Sequence, residues 1–205
     1  LGARIYYKVN ILGTTTDLLV DGVVINSTLD SADYYLNEFV NLSAIIDPLY
    51  EFVDWDADNH IFLPNSISLA SSFIVNSSDT IVLNIFKKPA ITYVVDPPTT
   101  SSTITVDGVV VGAFPTTIFY PTNQTVNIFP NLDPIYEFNS WGSDSVILLP
   151  NINSAMASFS ATNNDTVVLN ISKKPAITYI VDPPTSFSTI TVDGVVVGAF
   201  PTTIF

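Results

Sequence analysis

Lys87-Lys88-Pro89-Ala90-Ile91-Thr92-Tyr93 returns as Lys173-Lys174-Pro175-Ala176-Ile177-Thr178-Tyr179, so that residue 87 maps onto 173 with an offset of 86. The same offset carries Asp21-Gly22 onto Asp107-Gly108 and Asp193-Gly194. It also carries Asp47-Pro48-Leu49-Tyr50-Glu51-Phe52 with Trp55 onto Asp133-Pro134-Ile135-Tyr136-Glu137-Phe138 with Trp141, without a gap. Residues 3–88 and 89–174 agree at 35 of 86 positions, and 175–205 differs from the start of the second repeat only at Ile180, Ser186 and Phe187. A fixed period of this length marks a tandem array. The domains read as 3–88, 89–174 and a truncated start of a third, 175–205, and the chain is expected to be a window on a longer array.

Within the second repeat, short runs rich in Val, Ile, Thr and Phe alternate with turn residues. Strands are expected at 91–95, 103–106, 109–112, 116–119, 124–129, 135–141, 146–149, 155–160 and 166–172. Asp107-Gly108 between two such runs is a hairpin signal, because both residues accept the positive φ of a type I′ turn. Thr125-Val-Asn-Ile-Phe129 and Thr166-Val-Val-Leu-Asn-Ile171 alternate with period two, as strands with one packed and one solvated face do. Prolines at 89, 97, 98, 115, 121, 130, 134 and 150 interrupt any long helix. Seven to nine strands per unit imply an all-β fold of tandem immunoglobulin-like antiparallel β-sandwich domains. Tyr50, Phe52 and Trp55, with Tyr136, Phe138 and Trp141, are the expected structural core. The Lys-Lys-Pro junctions leave almost no linker, so an extended, semi-rigid rod is expected.

Composition narrows the function. Six Lys+Arg face 19 Asp+Glu, for a net charge of -13, yet 47% of residues are apolar. An acidic disordered tail is excluded by that apolar share. Six basic residues cannot neutralise a phosphate backbone, so no nucleic-acid partner is expected. Cysteine is absent, which removes thiolate catalysis, disulfides and Cys-ligated metals. No apolar run reaches the length of a spanning helix, and the expected strands are too short for an outer-membrane barrel. The charge is spread along the chain: residues 3–88 hold 11 acids and 4 bases, and 89–174 hold 6 and 2. A distributed negative charge opposes side-by-side collapse.

No arrangement for catalysis repeats. The single histidine, His60, corresponds to Val146 and reads as a surface residue. Asp54, Asp56 and Asp58 alternate as calcium ligands do, but the second unit has Ser140, Gly142 and Asp144 there, so no metal and no cofactor are expected. The acids shared by both units, Asp21/Asp107, Asp47/Asp133 and Asp79/Asp165 among them, read as turn residues. The only lysines shared by both units are the boundary pairs, which disfavours an isopeptide staple. Asn-Xaa-Ser/Thr at Asn26, Asn41, Asn76, Asn123, Asn164 and Asn170 is what an Asn/Ser/Thr-rich chain yields by chance. Asp-(Ser/Thr)-apolar triplets place candidate O-glycosylation at Thr80, Thr166, Ser31 and Ser145, the first two at matching positions.

The run Thr125-Val-Asn-Ile-Phe, then Tyr136-Glu-Phe-Asn-Ser-Trp-Gly142, then Asp165-Thr-Val-Val-Leu resembles the divergent internalin-type B-repeat of bacterial surface proteins. The first unit fits at Tyr50, Phe52, Trp55, Phe73, Asp79 and Thr80, with Asp56 where the pattern has Gly. The Asp-Pro-Pro-Thr and Val-Asp-Gly-Val hairpin is similar to PEGA-type surface modules. The triplets are similar to the acceptor motif for O-glycosylation in Bacteroidetes, and long acidic, cysteine-free arrays resemble the giant adhesins of that phylum, including the gliding-motility adhesin exported by type IX secretion. These resemblances imply a non-enzymatic stalk of an extracellular adhesin on the bacterial cell surface. Its partners would be neighbouring repeats, a surface or glycan ligand, and outer-membrane secretion or motility machinery. The alternative is a set of carbohydrate-binding modules of a secreted protein, which would expose an aromatic row including Tyr120 or Phe119.

Overall fold

A computed structural model describes residues 2–11, 13–25, 29–182, 189–193, 195–197 and 201–204. Asn26, Ser186, Phe187 and Gly194 lie outside them. The chain forms two compact units, residues 1–88 and 89–205. All regular structure among the described residues is β-strand.

Among the described residues, eight strands build the first unit: β1 (Gly2–Val9), β2 (Asp17–Val20), β3 (Val23–Ile25), β4 (Asp30–Tyr35), β5 (Phe39–Ile45), β6 (Tyr50–Asp56), β7 (Ser71–Ile74) and β8 (Asp79–Lys87). They form two sheets, in the orders β4-β1-β8-β6 and β3-β2-β5-β7. The second unit repeats the plan with β9 (Ala90–Asp96), β10 (Thr103–Val106), β11 (Val109–Val111), β12 (Thr116–Phe119), β13 (Gln124–Asn131), β14 (Tyr136–Ser143), β15 (Ala157–Ala161) and β16 (Asp165–Lys173). Its sheets run β12-β9-β16-β14 and β11-β10-β13-β15. The Asp-Gly turns have the expected positive φ, 49° and 81° at Asp21-Gly22 and 46° and 82° at Asp107-Gly108. Alternation holds strictly in β16, where every second residue from Asp165 to Ile171 is buried.

The two-sheet, all-β architecture agrees with the sequence, with three differences. First, the ladders are not all antiparallel. β1 pairs with β8 in parallel, and β9 with β16 likewise. Second, strand four lies beside strand one, an order unlike that of a constant-type immunoglobulin domain, which pairs A-B-E-D and C-F-G. Third, 146–149 is not a strand. It belongs to the loop after β14 and joins the second sheet through a Leu149–Ser158 bridge, as Leu63–Ser72 does in the first unit.

One core lies between the sheets of each unit. Ile5, Tyr7 and Val9 from β1, with Ile81, Leu83 and Ile85 from β8, meet Leu18, Val40, Leu42 and Phe73 from the opposite sheet. The spacing Tyr-x-Phe-x-x-Trp has a structural reason. Tyr136 and Phe138 share a face by period two, and a three-residue step would put Trp141 on the other. A bulge between Phe138 and Ser140 resets the register and turns Trp141 inward. The same break falls between Phe52 and Asp54. Both tryptophans are 1% exposed, and their indole N–H groups donate to the carbonyls of Ser68 (3.0 Å) and Ala155 (3.2 Å). Tyr50, Phe52, Tyr136 and Phe138 are half-buried and pack against these cores.

Residues 175–205 repeat the first pairings in register. β17 (Ile177–Tyr179) pairs with β20 (Thr202–Ile204), and β18 (Ile190–Val192) pairs with β19 (Val195–Val197). Ile91 is 0% exposed beside β16, whereas its match Ile177 is 57% exposed.

Candidate functional site

In each unit a carboxylate is buried at the start of the last strand, Asp79 in the first and Asp165 in the second. Asp79 opens β8 and is buried. Its Oδ2 accepts the His60 Nδ1–H and the Asn59 backbone N–H, both at 2.8 Å, and its Oδ1 accepts the Thr80 N–H at 2.7 Å. Burial opposes the charge on Asp79, but these hydrogen bonds outweigh it and hold the carboxyl below the ordinary carboxylate range. The His60 side chain is 0% exposed, which corrects the surface placement read from the sequence. It packs edge-on against Phe73 with ring centroids 4.9 Å apart. Its Nε2 faces the Asn76 backbone N–H at 3.4 Å, which makes it an acceptor there. The imidazole therefore bridges two protein groups and presents neither nitrogen to a substrate.

In the second unit Val146 fills the place of His60, and Asp165 binds backbone alone. Oδ1 accepts the N–H groups of Asp144 (2.9 Å) and Thr166 (2.7 Å), and Oδ2 those of Ser145 (3.0 Å) and Val146 (2.6 Å). Burial again disfavours the charge, and the four N–H donors outweigh it to keep the carboxyl low. Asp79 and Asp165 are thus not turn residues, as the sequence suggested, but buried clamps that fasten the loop after the sixth strand to the eighth. The Asp of each matched Asp-Thr pair is accounted for by this geometry. Asp47 and Asp133 do behave as turn residues, accepting the N–H two residues on from Leu49 (2.9 Å) and Ile135 (3.0 Å).

Thr80 and Thr166 lie half-buried on the outer face of the first sheet, in its interior strand. Ser31, on edge strand β4, and Ser145, in the loop held by Asp165, are exposed. A second invariant pair escaped sequence reading. The Tyr7 hydroxyl donates to that of Tyr34 at 2.8 Å, and the matching Tyr93 and Tyr120 hydroxyls are also 2.8 Å apart. Burial, reinforced by the hydrogen bond to the partner hydroxyl, pushes Tyr7 and Tyr93 well above the ordinary phenol range. Tyr120 is 5% exposed, so it is not part of an exposed sugar platform, and Phe119 is half-buried. The 86-residue offset applied to tyrosine alone would have found this pair.

A shallow groove on the second sheet also recurs, with volumes of about 400 Å³ in the first unit and 290 Å³ in the second. Gly22, Asn41, Leu63 and Ser72 line one, and their matches Gly108, Asn127, Leu149 and Ser158 line the other. Asp21 and Asp107 hold its asparagines by accepting the backbone N–H of Asn41 (2.9 Å) and Asn127 (2.8 Å) together with their side-chain amides. Such a groove offers hydrogen bonds and apolar contact to an uncharged ligand. Asp54, one of the three alternating acids, accepts the Asn84 amide at 2.8 Å, and no group of three or more His, Cys, Asp or Glu side chains gathers for a metal among the described residues.

No protein family matches the chain, and no curated protein matches it. Among solved structures it is similar to the major pilin protein T-13 from Streptococcus pyogenes, with 10% identity over 84% of this chain and 96% of that one, at a TM-score of 0.32. A bacterial adhesin from Mobiluncus mulieris containing intramolecular disulfide, isopeptide and ester bond cross-links shows 11% identity over 71% of this chain and 66% of that one, at a TM-score of 0.29. At these scores neither likeness carries an argument about fold or function.

Proposed function

We propose that the chain is a repetitive stalk segment of a long cell-surface adhesin, a spacer whose units are structural and not enzymatic. The observation that carries this reading is the recurrence of one eight-strand plan, with identical sheet orders and a buried carboxylate clamp at the matching position, at a constant interval of 86 residues. Length is gained in such arrays by adding units whose interiors are self-contained. The acidic, cysteine-free composition suits an exposed fibre, and the resemblance to surface repeats extends the reading to adhesins of gliding bacteria exported by type IX secretion. Sugars on exposed Ser31 and Ser145, or on Thr80 and Thr166, would cover part of the apolar surface, and intact mass of the native protein reads them directly.

The test is labelling of unopened cells with antibody raised against residues 89–174. Labelled filaments extending from the cell, seen by electron microscopy, are expected. Label that reaches its target only after lysis would refute the surface assignment. The carbohydrate-binding reading draws support from the recurrent groove and not from Tyr120. It predicts that soluble glycans shift the amide resonances of Asn41 and Asn127, and the stalk reading predicts no such shift.

A further inference from the structure

The chain begins each unit at the N-terminal end of the first strand and leaves it at the C-terminal end of the last. These two strands are direct neighbours in the interior of one sheet, and they are parallel. Five register pairs join them in the first unit, from Ile5–Asp79 to Val9–Leu83, and six in the second, from Ile91–Asp165 to Asn170–Asp96. Because the strands are parallel, the two ends lie at opposite ends of the ladder, about 30 Å apart in the second unit at the rise of a strand. Tension along the chain therefore acts along this ladder and loads its slanted hydrogen bonds together. Had the first and last strands been antiparallel, both ends would sit at one end of the pair, and tension would open it one bond at a time.

We propose that the parallel pair β1–β8, and β9–β16 in the second unit, is a load-bearing clamp that resists axial tension on the array. The proposal deepens the stalk reading, although its measurement does not depend on where the protein resides. Side chains reinforce the pair at its ends. The Arg4 N–H donates to Ser78 Oγ (3.0 Å), and the Ala90 N–H donates to Asn164 Oδ1 (2.9 Å). Beyond the last pair of β1, the Asn10 N–H donates to the Leu83 carbonyl (3.0 Å). The Asn10 amide then acts as an added strand residue, since Nδ2 donates to the Ile85 carbonyl (3.1 Å) and Oδ1 accepts the Ile85 N–H (2.9 Å). At the exit, Lys88 and Lys174 tie the chain to their own units, each donating its Nζ to the carbonyl of Pro48 (2.8 Å) or Pro134 (2.7 Å) and its backbone N–H to Leu49 or Ile135.

The chain has no cysteine, so engineered cysteines can serve as unique handles for single-molecule pulling on the full chain. Lys87→Cys with Ala176→Cys loads β9 and β16 from opposite ends, in shear. Lys87→Cys with Asn163→Cys loads the same pair from one end, as a peel. Both release the second unit, over 89 and 76 residues respectively by their sequence positions. A several-fold higher unfolding force is expected in shear, and equal forces in the two geometries would overturn the clamp. In the wild-type chain pulled from its termini, Asn10→Ala is expected to lower the force of one of two unfolding events and leave the other in place. If both events are unchanged while far-UV circular dichroism shows the variant folded, Asn10 is not part of the clamp. Antibody label confined to lysed cells, with the shear result intact, would sink the stalk reading and leave the clamp standing.

Discussion

Replacing Asp165 by Asn tests whether a buried carboxylate, and not the apolar contacts around it, fastens the long loop of the second unit. The side chain accepts four backbone N–H groups, two on each oxygen. Asparagine keeps the shape but turns one oxygen into an NH₂ that faces two of those donors. Two hydrogen bonds to a charged acceptor are lost, each worth roughly 1.5–3 kcal/mol, and two N–H groups are left without a partner. The expected destabilisation is about 3–6 kcal/mol, a large part of a domain's usual stability. Trp141 stands in the same core, so in a chain carrying Trp55→Phe its fluorescence reports the second unit alone during urea unfolding. Acid provides an independent check. The folded carboxyl is held below its ordinary value of 3.8, so its stabilisation is complete above that pH and is lost as pH falls through the lower, folded value. The variant should lack this acid-dependent component. A loss below about 1 kcal/mol, with an unchanged pH profile, would show that the four N–H groups find other partners and that the clamp is not what holds the loop.

Three further outcomes follow from the same geometry. His60→Val, which copies the second unit, removes one donor from Asp79 and should destabilise the first unit by roughly 1.5–3 kcal/mol, read from Trp55 fluorescence in a Trp141→Phe chain. Tyr120→Phe leaves the buried Tyr93 hydroxyl without its partner and should cost about 1–2 kcal/mol in urea unfolding, with Tyr34→Phe doing the same in the first unit. Ile91→Ala should lower the stability of the second unit by about 2–5 kcal/mol, because Ile91 is fully buried in the core beside β16. A cost below about 1 kcal/mol would contradict the burial described above.

Much of the fold was legible in local pattern. The offset of 86, the Asp-Gly turns and the period-two runs place most strands within a residue or two, because each reports on bonds between near neighbours in the chain. Residues 146–149 were misread for a related reason. Val146 and Leu148 alternate as a strand does and are buried, but a loop pinned to Asp165 buries them as effectively as a ladder would. The polar interior was far less legible. Asp before Thr looks the same in a turn, in a modification motif or at a buried clamp, and His60 against Val146 looks like a surface exchange until the Asp beneath both is seen.

By itself the sequence determined the repeat, most of the strand content and the hairpins, whereas the bulge that turns Trp55 and Trp141 inward was seen only in the sheet. Only the tertiary structure decided that the first strand closes against the last. Ile5 meets Asp79 and Ile91 meets Asp165, partners that no turn signal or alternation links. Burial, and with it the low carboxyls, the paired tyrosine hydroxyls and the shear-loaded ladder, depends on which distant strand arrives to cover a residue, and that is a property of the assembled sheet.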